Sequence, residues 1–321
     1  MTTQIVPSML DPTTLAMMRD TNRLINGDMR IDARQAGGSI TVTSSSVFCV
    51  DRWRSGMTGA NGTGQRVACS LTGFPYMLQL TGGVGTTSAW VGQMVESVNC
   101  TSLVGQRVTI QFRAASSNVT SLTVNLKSAT ATDNFTSTNL VESQSVTITS
   151  TLTYYELTFA ASMPASAANG LYLEFVTGSN LGTGTLQMTG VQLESGTKTS
   201  PFVFRHYRDE VALCQRYFEK SGVGALGATW TANAAESVGM SHPTGNFRMS
   251  IPFRVTKRAA PTFTTYDRTG ASGKCSYFVA AWTDAGALPV SSSLASGAYV
   301  GHNIASSVET QLSWSAEAEI S

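Results

Sequence analysis

Along much of the chain, hydrophobic and polar residues alternate with a period of two. Val108, Ile110 and Phe112 fall on one side of an extended segment, and Arg107, Thr109, Gln111 and Arg113 fall on the other. Leu122, Val124 and Leu126 alternate with Thr123, Asn125 and Lys127 in the same way. The pattern returns at Val146 and Ile148, at Tyr155, Leu157 and Phe159, at Leu171, Leu173 and Phe175, and at Leu186 and Met188. A period of two is that of a strand with one dry face and one wet face, and clusters of Gly, Ser and Asn between the runs supply the turns. From about Ser39 to Glu194 no helical spacing interrupts the series. Many short strands so arranged predict two antiparallel sheets packed as a sandwich, with a jelly roll as the expected form.

The period changes between Arg208 and Lys220. Val211, Cys214 and Phe218 recur at i, i+3 and i+7, with Leu213 and Tyr217 beside them. Asp209 and Glu210 at the start, Lys220 at the end and Gly222 just beyond suit a helix of about three turns. Strand patterns then resume at Phe247–Phe253, Thr262–Tyr266, Ser276–Ala281, Ala298–Ile304 and Thr310–Glu319. The expected fold class is therefore all-β: an antiparallel jelly-roll sandwich plus a second, smaller β domain, joined by one short helix. The divisions fall at 1–24 for an N-terminal attachment arm, 25–205 for the jelly roll, 206–222 for the linker helix and 223–321 for the C-terminal β domain. Pro7 and Pro12 break the arm, and a segment so short has no core of its own.

Composition supports this picture. Ser and Thr make up 80 of the 321 residues, and β-branched Thr suits a half-buried pleated surface. A hydrophobic content of 42% excludes a disordered chain. A formal net charge of +1 leaves no large field to attract nucleic acid, and no apolar run reaches the length of a membrane span, so neither nucleic-acid binding nor membrane insertion is expected. The first residues lack the basic and apolar regions of a secretory signal. Cys49, Cys69, Cys100, Cys214 and Cys275 are odd in number and widely spaced, which reads as free thiols in a chain folded in a reducing cytoplasm.

Little in the chain speaks for catalysis. Its three histidines, His206, His242 and His302, stand apart, with no nucleophile elbow or metal-binding helix near them. Glu96, Glu156 and Glu174 are carboxylates that a glycosidase would need in a pair, and each also reads as a residue on a wet sheet face. Sugar binding needs an aromatic platform with polar side chains beside it. Trp90 and Gln93, with Trp53 and Arg54, are the candidates, and Trp53 also fits a core residue locking its strand.

Four stretches carry a resemblance. Asn22–Gly37 (NRLINGDMRIDARQAG) with Val50–Trp53 (VDRW), Gln93–Ala114, Gly190–Phe218 (GVQLESGTKTSPFVFRHYRDEVALCQRYF), and Arg258–Asp267 with Trp314–Glu319 (WSAEAE) resemble fibre and appendage proteins of tailed-phage virions that carry a carbohydrate-binding-module-like jelly roll. The resemblance implies a non-enzymatic structural protein, made in the bacterial cytoplasm and displayed as an external virion appendage. It implies a homotrimer that meets other virion proteins through its N-terminal arm and a host-surface glycan through its jelly roll. A tail or neck fibre is the first expectation, a capsid decoration or head fibre with no ligand the second, and a polysaccharide-cleaving enzyme the last. Leu213, Tyr217 and Phe218 would then either face another copy or pack within their own chain. Similar jelly rolls hold a structural calcium, for which Asp28 and Glu194 are the candidate ligands, and no other cofactor is implied.

Overall fold

The computed structural model describes residues 22–222, 225–226, 228–229, 237–240, 246–278, 280–287, 290–303 and 309–320. Strands dominate, as the period-two pattern predicts. The first sheet runs in the order β1 (Ile40–Val42), β4 (Gly62–Ala68), β5 (Tyr76–Thr81), β12 (Thr185–Ser195), β7 (Val108–Ser116) and β10 (Thr153–Thr158). The second is ordered β2 (Val47–Val50), β3 (Trp53–Thr58), β6 (Ser88–Val95), β11 (Leu171–Thr177), β8 (Ser121–Ala131) and β9 (Asn134–Thr147). Every pairing is antiparallel, and the chain crosses repeatedly between the sheets, as in a jelly roll.

The inward residues of both sheets form one core. Leu78, Leu80, Ile110, Phe112, Leu186 and Met188 of the first sheet meet Met57, Val91, Leu122, Val124, Leu173 and Phe175 of the second. Phe112 spans the layers, its ring 4.9 Å from that of Phe175. One expectation about the opposite face fails. Thr109 and Gln111 are buried, because residues 196–204 cross back over the first sheet. Gly196 O accepts from Thr109 Oγ1 at 2.8 Å and Ser200 O from Gln111 Nε2 at 2.8 Å. Phe202 and Phe204 of this strap close on Phe74, with ring centres 4.8–5.1 Å apart. The outer face of the first sheet is therefore partly roofed by its own chain.

The helix is shorter than its pattern. α1 spans Tyr207–Gln215, with His206 Nδ1 accepting from Arg208 N at its start. Phe218–Lys220, expected as its last turn, instead form β13. The apolar stripe at 217–218 serves a strand here: Phe218–Lys220 gain ladder hydrogen bonds by pairing with Glu317–Ser315 of β21 (Glu309–Glu317). β21 is the hub of the second unit. Its C-terminal half is flanked by β13 and β16 (Thr262–Tyr266), its N-terminal half by β14 (Ser237–Met240) and β17 (Lys274–Phe278). β18 (Trp282–Ala287) extends that sheet beyond β17, and a separate three-stranded sheet runs β15 (Asn246–Pro252), β20 (Gly297–Asn303), β19 (Val290–Leu294). Ile251, Phe263, Cys275, Val300, Leu312 and Trp314 make its small core.

The stretches that carried the resemblance meet at one junction. Arg34, almost wholly buried, reaches Glu317 at 2.9 Å and Glu319 at 3.0 Å and lies 3.7 Å over the Phe218 ring. Arg52 also pairs with Glu319, donates to Met94 O at 2.6 Å and stacks 3.5 Å over Tyr217. Glu96 accepts from Arg216 and from Tyr217 Oη at 2.8 Å. Burial alone would raise the Glu96 carboxyl, but these donors outweigh it and hold it below the ordinary range. Asn26, at φ +57°, ties this corner together by bonding to Ile31 and Asp51. Gly27 follows because any Cβ there would lie 2.1 Å from Val191 O.

Candidate functional site

With the first sheet partly roofed, the outer face of the second sheet is where open aromatic and polar side chains converge. Register places them in rows. Gly56 of β3 lies beside Trp90 of β6, then Val176 of β11 and Thr123 of β8. The next row is Arg54, Gly92, Glu174 and Asn125, and the third is Met94, Tyr172 and Lys127. All point outward, because residues two apart on a strand share a face.

Two glycines shape this surface. A Cβ on Gly56 would fall 2.5 Å from Cε2 of Trp90, and one on Gly92 would fall 2.6 Å from Cε2 of Tyr172. Both rings therefore lie across the neighbouring strand, each filling the space that a side chain would occupy. Trp90 stays half-buried, while Tyr172 is closed in at the junction with Ile320 and Met94. An isolated glycine inside an alternating strand signals such a close approach, and Gly56 and Gly92 carried that signal in the sequence.

A polar network surrounds the rings. Glu174 accepts from Lys127 Nζ at 2.6 Å, Asn125 Nδ2 at 3.1 Å and Tyr172 Oη at 3.3 Å. Asn125 Oδ1 in turn accepts from Ser143 at 2.8 Å. Burial pushes the Tyr172 phenol up, the Glu174 carboxylate adds to that rise, and Arg54 opposes it. Arg54 is half-buried and donates to Ser46 Oγ from Nε and Nη2 and to Met94 Sδ from Nη1. A half-buried ring on one face with guanidinium, carboxylate and amide groups in the adjoining row can stack on a sugar and bond its hydroxyls.

Of the four residues proposed for sugar contact, the face brings together Trp90 and Arg54. Trp53 is 0% exposed, its Nε1 bonded to Asn26 O at 2.8 Å, so it is a core residue with no ring face to offer. Gln93 points inward as well. Its amide clasps the backbone of Ile25, accepting at 2.7 Å and donating at 2.8 Å. Sequence reasoning passed over Tyr172, Asn125 and Lys127, which the register brings onto the same face as Trp90, one and two rows away.

The other candidates are placed as follows. Tyr217 and Phe218 are buried in their own chain under Arg52 and Arg34, so they are not free to meet another copy. Leu213 is half-buried and lines a cleft of about 1110 Å³ beside α1. Arg205, Arg216 and Arg23 in its wall are bonded to Asn22 and Leu24 carbonyls, to Glu96 and to Ser102. Asp28 pairs with Arg30, and Glu194 accepts from Ser200, so each carboxylate already has a protein partner. Among the described residues no three His, Cys, Asp or Glu side chains group as a metal site. Glu156 lies on the outer face of the first sheet, Glu174 on that of the second and Glu96 at the junction, so the three do not form a pair. His242 lies outside the described residues. All five cysteines are free, and burial pushes the thiols of Cys49, Cys100 and Cys275 up to about 12.

No protein-family model matches the chain, and no curated protein matches it in sequence. Solved structures do match its shape in part. A domain of tailspike protein 4 of bacteriophage CBA120, described as enzymatically active, is 18% identical with a TM-score of 0.37 over 55% of this chain and 22% of that one. A family 4 carbohydrate-binding module is 14% identical with a TM-score of 0.32 over 53% of this chain and 98% of the module. A family 61 module solved with β-1,4-galactotriose is 13% identical with a TM-score of 0.31 over 45% and 88%. This chain therefore spans about a fifth of the tailspike chain and most of each module. The likeness is one of fold alone.

Proposed function

We propose that the chain is a structural protein of a tailed-phage virion: a trimeric tail or neck appendage whose jelly roll contacts glycans on the host surface. The single observation that carries the glycan reading is the half-buried Trp90 ring lying over Gly56, with Arg54, Glu174 and Asn125 in the adjoining row. The virion reading rests on the resemblance of the four stretches that build the junction. In this reading the protein is no enzyme. Residues 1–24 hold it to the particle, other virion proteins being the partners there, and Asn22–Leu24 carry that attachment into the sandwich along β12. For the three-fold contact, the candidates are Leu213 with Phe204, just before α1, and Tyr207, its first residue, which are 49% and 59% exposed. Weak sites then add up, because linked copies raise one another's effective concentration.

The test is adsorption of the purified protein to polysaccharide from the bacterium that the particle infects. Trp90→Ala should weaken binding by at least about tenfold, the loss of one stacking platform. The same substitution should leave the midpoint of thermal unfolding within about 2 °C, since Trp90 lies outside the core. Light scattering on that preparation should give three times the chain's mass. Wild-type binding by the Trp90→Ala protein would contradict the glycan reading, and a stable monomer would contradict the free trimer.

A further inference from the structure

Resting on the glycan reading of the Trp90 face, we infer that its ligand is an acidic sugar whose carboxylate pairs with Arg54. The charge on this face is unmatched. The three rows of the face hold two cations, Arg54 and Lys127, and one carboxylate, Glu174. Lys127 and Glu174 satisfy each other at 2.6 Å, and Glu174 is engaged further by Asn125 and Tyr172. Among the described residues the partners of Arg54 are all neutral: the Ser46 hydroxyl, the Met94 sulfur and, at 5.9 Å, the face of the Phe48 ring. Among the described residues no carboxylate lies within ion-pair distance of it. A half-buried guanidinium with no counter-charge favours an anion, and its planar fork matches a carboxylate through two parallel hydrogen bonds.

Position supports the same partner. Arg54 and Gly56 are two residues apart on β3, about 7 Å along the strand, and Trp90 covers Gly56. A sugar ring stacked on Trp90 thus holds a substituent on its far carbon over Arg54. A uronic acid places its carboxylate on such a carbon. A neutral hexose places a hydroxymethyl group there and leaves the guanidinium without its charge partner.

The experiment uses the full chain on an array that pairs each carboxylate-bearing bacterial oligosaccharide with its carboxyl-reduced counterpart. Wild type should bind the acidic member at least tenfold more tightly, and added salt should narrow the gap. Arg54→Gln should abolish that preference while keeping the weaker binding to the reduced glycan, and Arg54→Lys should restore part of it. Trp90→Ala should lose both members. Equal wild-type binding to both members, or an equal loss from both on Arg54→Gln, would overturn the inference and leave the glycan reading standing. Binding to nothing on the array would overturn both.

Discussion

At the scale of the residue, two tryptophans show how one amino acid takes opposite roles. Trp53 points inward from β3, is fully buried and bonds to the Asn26 carbonyl, whereas Trp90 points outward from β6 and rests on a glycine. The direction of each follows from its place in the alternation. The charge of Asp51 is set by opposing influences. Burial raises its carboxyl to about 6, although Arg34 and the Ala33 amide pull it down. Its folded value thus lies above the unfolded one near 3.9, so the folded state holds the proton more tightly. Stability from this group is fully present below about pH 4 and is lost as pH rises through about 6, on the order of 3 kcal/mol in all. Asp51→Asn removes that slope. Denaturation at pH 4, 5, 6 and 7 should show wild type losing ground against the variant across the window, and a constant difference between the two would refute the assignment.

At the scale of the element, β21 and the corner at Asn26 decide how the two β units join. Arg34 and Arg52 are both buried and share Glu319, so removing that carboxylate strands charge inside the protein. Glu319→Ala should destabilise the chain by about 3 kcal/mol, while a substitution of the half-exposed Glu317 should take less, because a broken buried pair leaves its partner uncompensated. Urea unfolding measures both, and equal effects would argue against a shared buried anchor. Strands such as β7, β8, β11 and β16 were legible because their alternation is regular. The end of the helix was not, because Tyr217 and Phe218 fit a helical stripe as well as a strand, and only pairing with β21 decides between them. Thr109 and Gln111 read as wet for a similar reason, since the strap that covers them arrives from 87 and 89 residues away.

At the scale of the whole molecule, the sandwich has one face partly covered by its own strap and one that gathers Trp90, Arg54 and the Glu174 network. Trp90 and Arg54 were legible as aromatic and basic side chains in strands. Tyr172, Asn125 and Lys127 on the same face were not, because they come from β11 and β8, and only the register lines them up with β6. Under the proposed function, this face of the sandwich is where the host glycan binds. The most direct measurement is to record the indole N–H resonances of the five tryptophans while polysaccharide fragments from the infected bacterium are added. The Trp90 resonance should shift in a saturable way while that of Trp53, sealed in the core, stays in place. A saturable response in which Trp90 is unmoved would contradict this placement.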